Sequence, residues 1–173
     1  MSNEVKVMTA ILHAVQAVPG VVVFDPPDWM RSTRNPKARE TYRRYQEDRK
    51  ARLAEALRRY GAAALVYRRN VGGAYQPGKA GRMRPVFYGY TGQPDIEIVL
   101  APSGRLVERE VKSPDRRTLK SGDPGGHLSI PSIEQRTWGE IYELAGVSWD
   151  VWRSSEDAIG DIRSLLMAER RAA

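Results

Sequence analysis

Apolar residues recur along this chain in two rhythms, one of three to four positions and one of two, and the switches between them mark out its elements. Val5, Met8, Ile11, Leu12 and Val15 have the spacing of an amphipathic helix over residues 5–17, which Pro19-Gly20 ends. Residues 21–24 read as a short buried strand, and Asp25-Pro26-Pro27-Asp28 as a rigid turn. Residues 29–36 carry no period. From about residue 37 to Tyr60 the pattern is helical, with Leu53, Leu57 and Tyr60 facing the core and Gly61 closing the end. Residues 62–69 form a first central strand through Leu65, Val66 and Tyr67, and Asn70-Val71-Gly72-Gly73 a flexible turn. Residues 76–84 are polar and glycine-rich, either a mobile loop that touches a nucleic acid or an ordinary hairpin tip, and residues 85–90 a second strand.

The next stretch is the most informative. Two apolar-rich runs, residues 96–100 and 106–111, flank Ala101-Pro102-Ser103-Gly104, which is turn chemistry and predicts a β-hairpin. A tight turn with Pro102 and Ser103 at its tip sets Ala101 opposite Gly104, and the same register carried outward sets Asp95 opposite Glu110. Residues 113–127 read as loop. Ser132-Ile133-Glu134-Gln135 opens a helix as a capping box, with Trp138, Ile141, Tyr142, Leu144 and Ala145 as its buried side and Gly146 as its end. Residues 147–152 form a further strand, with Trp149 and Trp152 as core or interface residues. Ser155 caps a last helix over residues 156–169, whose first turn is acidic. The expected fold class is α/β, a small mixed sheet flanked by helices, in one domain over residues 1–173.

Composition narrows the partners. The chain of 173 residues has no cysteine, which excludes disulfides and cysteine zinc sites. Nothing resembles a signal peptide, and no apolar run approaches the roughly 20 residues that span a bilayer, so a soluble, cytoplasmic protein with no membrane partner is expected. The formal charge of +7 favours a polyanion. Residues 31–59 hold eleven Lys/Arg against four Asp/Glu, a local surplus as large as that of the whole chain. Arg43 and Arg44 lie within it, and Arg68 and Arg69 extend it.

Chemistry concentrates at the open end of the hairpin. Alternate residues of a strand share a face, so Glu110 and Lys112 point the same way, with Asp95 across from them. Two carboxylates this close repel unless a hard cation sits between them, and Mg²⁺ binds through one or two carboxylates plus water and phosphate oxygens. A metal-dependent phosphodiesterase site is the expectation. On plain structural grounds the alternative is a turn-capping Asp95 beside a solvated Glu110–Lys112 pair. His13, among apolar neighbours, reads as structural, and His127, in a glycine-rich loop, as exposed.

Pro94-Asp95 followed by Glu110-Val111-Lys112 resembles the signature of the PD-(D/E)xK nuclease superfamily. Arg69-Asn70-Val71-Gly72, Gly92-Gln93-Pro94-Asp95 and Glu134-Gln135-Arg136-Thr137-Trp138 narrow the resemblance to the VRR-Nuc family, in its standalone phage or bacterial form, over about residues 65–162. The resemblance implies a restriction-endonuclease-like core over residues 37–169, with residues 1–36 as an N-terminal extension. It implies a DNA endonuclease using Mg²⁺ or Mn²⁺, held by Asp95, Glu110, the Val111 carbonyl and a helix acid, Glu47 or else Glu55. Lys112 would stabilise charge or orient water. Gln135 has two readings, a purely structural cap or an amide placed near the metal. Arg43, Arg44, Arg68, Arg69, Arg116, Arg117 and Lys120 would track the DNA backbone. Members of this kind that cut four-way junctions suggest branched DNA as substrate and a homodimer to cut it symmetrically. A nuclease-fold DNA-binding module without activity, and a basic adaptor for RNA or a protein, are the alternatives.

Overall fold

Ile96, Ile98 and Leu100 are fully buried while Glu97 and Val99 between them are part-exposed, the two-residue period of a strand with one face on a core. That strand, β5 (Ile96–Ala101), sits at the middle of a five-stranded sheet ordered β1-β2-β5-β6-β7. Its neighbours β2 (Ala63–Arg68) and β6 (Leu106–Val111) run antiparallel to it. The outer strands β1 (Val21–Phe24) and β7 (Ser148–Trp152) run parallel to β2 and β6. The sheet is therefore mixed. The computed structural model describes residues 3–31, 36–69, 72–77, 83–88, 93–112 and 130–173.

Four helices flank the sheet among the described residues. On one face lie α1 (Asn3–Gln16) and α4 (Ser155–Ala172), which pack on each other and on the central strands. Met8, Ile11, Leu12 and Val15 meet Ala158, Ile162 and Leu166 over Ala64, Val66, Ile96, Ile98, Leu100, Val107 and Val111. Each fully buried Ile or Leu there contributes about 1.5–3 kcal/mol of hydrophobic stabilisation. Residues 1–36, expected as an extension, thus supply an edge strand and a helix to the same core. Arg109 also points to this face. It is held by Asp161 at 2.7 Å, which accepts a second bond from the Trp152 indole at 3.0 Å.

The opposite face carries α2 (Pro36–Tyr60) and α3 (Ile133–Leu144). The first leans on β1 and β2 through an aromatic cluster in which Phe24 meets Tyr42, Tyr45 and Tyr67. The second approaches β7 at Gly139, where an added Cβ would stand 2.8 Å from the Trp149 ring. That close approach turns Gln135, Trp138 and Tyr142 toward the sheet and leaves Ile133, Ile141 and Leu144 outward, Leu144 90% exposed. Of the buried side expected for α3, Trp138 and Tyr142 thus face the sheet, while Ile141, Leu144 and Ala145 are exposed.

Two further expectations shift. Ser154, not Ser155, caps α4, its hydroxyl accepting from Asp157 N–H at 3.1 Å. The stretch expected as a polar loop before residue 85 holds parts of two strands, β3 (Gly72–Pro77) and β4 (Met83–Tyr88), which pair with each other rather than with the central sheet. No helix among the described residues is long and apolar enough to cross a membrane.

Candidate active site

The β5–β6 ladder pairs Ile96 with Arg109, Glu97 with Glu108 and Ile98 with Val107. One step outward, Asp95 faces Glu110, the register expected from the turn. Leu100 N–H donates to Arg105 C=O at 2.9 Å, so the 100/105 pair is hydrogen-bonded, and with it every second pair along the ladder. The 97/108 and 95/110 pairs are then the non-hydrogen-bonded kind, in which side chains stand closest. Four carboxylates consequently line one face of the hairpin as two cross-strand pairs. Strand β6 is buried on both faces, and Glu108, Glu110 and Lys112 are all buried. Charged side chains are found in such positions only when paired.

Each outer acid is positioned from its own strand. Asp95 precedes β5, and its carbonyl receives Arg69 N–H at 2.8 Å, which extends the β2–β5 ladder. Its carboxylate accepts Val111 N–H at 3.0 Å. A strand residue sends its N–H and C=O to the same side, so the Val111 carbonyl also faces the Asp95 strand. Glu110 Oε1 accepts from Lys112 Nζ at 2.7 Å and from the Gln135 amide. Gln135 Oε1 at the same time accepts Ser132 N–H at 2.8 Å, the return bond of the capping box. The two readings of Gln135 are therefore one arrangement: the cap fixes the amide so that its Nε2 is delivered to Glu110.

Burial, then the Asp95 charge, pushes the Glu110 carboxyl up to about 8 despite Lys112 beside it. Burial also raises Asp95, opposed by the Val111 N–H. Glu110 acts as donor to Asp95 across the strands, so at neutral pH one proton holds the two acids together. No protein N–H or O–H donor reaches Glu110 Oε2, which is buried. Once the shared proton is gone, Glu110 Oε2, the Asp95 carboxylate and a backbone carbonyl make an oxygen-only donor set, the kind that Mg²⁺ or Mn²⁺ takes. Asp95, Glu110 and Val111 fit such an ion.

The expected helix acid does not join them. Glu47 is on the outer side of α2, its side chain 69% exposed and 3.8 Å from Lys50, and Glu55 bonds Arg58 at 2.6 Å. No group of three or more acidic, histidine or cysteine side chains able to hold a metal occurs among the described residues. An i,i+3 cation explains both acids without a site.

The basic candidates divide. Arg43 and Arg44 are exposed on α2, sharing Glu40. Arg68 lies near Asp25 at 4.0 Å. Arg69 turns inward: its guanidinium reaches Glu97, Glu108 at 2.7 Å and the Tyr142 hydroxyl at 3.1 Å, so it is not presented to a phosphate backbone. Arg116, Arg117, Lys120 and His127 lie outside the described residues. Sequence reasoning missed the inner acids Glu97 and Glu108, although the hairpin register that placed Asp95 opposite Glu110 also pairs them. Burial raises Glu108 to about 7 against the pull of Arg69. Compared with family models, curated proteins and solved structures, the chain matches none of them.

Proposed function

We propose that this protein is a divalent-metal-dependent DNA endonuclease that hydrolyses phosphodiester bonds, with branched or otherwise structured DNA as its substrate. One observation carries the reading: a buried carboxylate, Glu110, and a half-buried one, Asp95, meet across the open end of the hairpin beside a buried lysine on one sheet face. Nothing in a purely structural role requires that expensive arrangement at the end of a hairpin. The resemblance of Pro94-Asp95 and Glu110-Val111-Lys112 to the PD-(D/E)xK signature points the same way.

A bound Mg²⁺ or Mn²⁺ would polarise the scissile phosphate and lower the pKa of a water. Asp95, Glu110 and the Val111 carbonyl would hold it, and to do so the two carboxyls give up the proton that they share. Lys112 keeps a compact positive charge next to these oxygens, where it offsets the charge that builds on the phosphate in the transition state. Gln135 holds Glu110 in one rotamer, its own amide fixed by Ser132. The exposed cations of α2, Arg43 and Arg44 among them, supply a surface for phosphates, with the salt dependence such contacts bring.

The test is a labelled panel of linear duplex, single strand, 5′ flap and four-way junction, incubated with Mg²⁺ or Mn²⁺. Cutting concentrated on the branched substrates is expected, and symmetric nicks across the junction would add a homodimer. Equal cutting of every substrate would remove the structural selectivity. A second reading, a DNA-binding module without activity, is favoured by the lack of a third acidic ligand among the described residues. It predicts binding with no cleavage in either metal.

A further inference from the structure

Two cation sites are open in principle to a row of four carboxylates, and the inner pair bears on how many ions the row takes. We propose that Arg69 is a built-in counter-ion that fills the inner half of the row, so that the chain binds one divalent cation, at Asp95 and Glu110, and not two. The inference rests on the metal-site reading above and goes beyond it in assigning the stoichiometry and the role of Arg69.

The inner pair is directly opposed across the strands, Glu97 with Glu108, and Glu108 is fully buried. A guanidinium already occupies the space between them. Arg69 Nη2 reaches both carboxylates, and Nη1 donates to the Tyr142 hydroxyl at 3.1 Å. The same residue is tied at its backbone, its N–H on the Asp95 carbonyl at 2.8 Å. Arginine does not deprotonate in a protein and its planar fork suits two carboxylates at once, so it does not vacate the position as a lysine can be induced to. An incoming divalent ion would meet a fixed like charge at contact distance.

Charge balance gives the same count. Asp95, Glu97, Glu108 and Glu110 face Lys112 and Arg69, four negative groups against two positive ones when all are ionised. What remains is the charge of a single divalent ion. The inner pair keeps an acceptor in reserve, since Glu108 Oε2 is buried without a hydrogen-bond partner. Removing the guanidinium therefore exposes a second oxygen pair of the same chemistry as the first. Arg69 is in this sense a positioning residue: it bridges the inner acids to α3 through Tyr142 and sets the Asp95 backbone, while touching no reacting atom.

The count is read by titrating the full chain with Mn²⁺ and following the free aquo-ion signal by electron paramagnetic resonance, which needs no catalysis. One Mn²⁺ per chain is expected for wild type, and still one for Glu97→Gln/Glu108→Gln, which removes the inner charges. Arg69→Met, of similar length but neutral, is expected to bind two. Two ions in wild type falling to one in Glu97→Gln/Glu108→Gln would overturn the proposal, and so would a folded Arg69→Met that still binds one. Should Arg69→Met fail to fold, the other two counts decide. No Mn²⁺ bound by wild type would overturn the metal-site reading itself, an outcome distinct from a count of two.

Discussion

Glu110→Gln is expected to separate stability from activity. In the metal-free protein Glu110 keeps its proton up to about pH 8, whereas an unfolded chain gives it up near 4.5. A carboxyl whose folded pKa is raised loses stability for the protein as pH climbs: nothing is lost below the unfolded value, and the loss is complete above the folded one. Between those limits each pH step of one costs about 1.4 kcal/mol, so the wild type carries a penalty of roughly a few kcal/mol near pH 8 from the coupled Glu110–Asp95 pair. Glutamine has the same shape, accepts from Gln135 and Lys112 through its carbonyl, and offers Asp95 an N–H in place of the shared proton. It has no proton to lose. Urea denaturation in EDTA should show the variant near wild type at pH 4.5 and more stable by a few kcal/mol at pH 8, while cleavage is lost. A variant no more stable at pH 8 than at pH 4.5, relative to wild type, would refute the strained-pair reasoning.

Other substitutions test separate parts. Lys112→Ala should slow cleavage without removing Mn²⁺ binding, and titration calorimetry showing the ion lost with the lysine would contradict its assigned role. Gly139→Ala puts a methyl 2.8 Å from the Trp149 ring and should destabilise by about 1–3 kcal/mol in chemical denaturation; unchanged stability would mean that α3 does not sit this close to β7. Arg43→Ala/Arg44→Ala should leave stability within about 0.5 kcal/mol, because both side chains are exposed. The same variant should weaken DNA binding and flatten its dependence on salt, by about one in the logarithmic slope for each phosphate that is no longer neutralised. An unaltered salt slope would place the DNA elsewhere.

Local chemistry made the outer acids legible. The Ala101-Pro102-Ser103-Gly104 turn fixes which residues oppose each other, and from that register alone Asp95 meets Glu110 while Lys112 follows on the same face. The helices were legible too, since their ends carry Gly61, Ser132 and Gly146. What the sequence did not disclose depends on packing between distant segments. Arg69 reads as part of a basic surface because its partners come from the β2–β5 register and from α3, neither of which leaves a local pattern. The apolar period of α3 places Trp138 and Tyr142 correctly and misplaces the rest for a related reason. Ile133, Ile141 and Leu144 lie outward because Gly139 lets the opposite face descend on Trp149, and that face makes polar contacts to the acids. Glu47 is suggested by resemblance, and the helix faces it away from the sheet beside Lys50. Its register on α2 is set by the aromatic packing of Tyr42 and Tyr45 on Phe24, which a spacing count does not include.

The most direct measurement compares wild type with Asp95→Ala/Glu110→Ala on a labelled four-way junction and a linear duplex, each with Mg²⁺, Mn²⁺ or EDTA, with binding followed in parallel. Cleavage by wild type that needs the metal, and a variant that binds DNA as tightly but does not cut, is the expected result. Wild-type cutting retained in EDTA or in the variant, or no cutting in any metal, would contradict the assignment of Asp95 and Glu110 as a metal-dependent nuclease site.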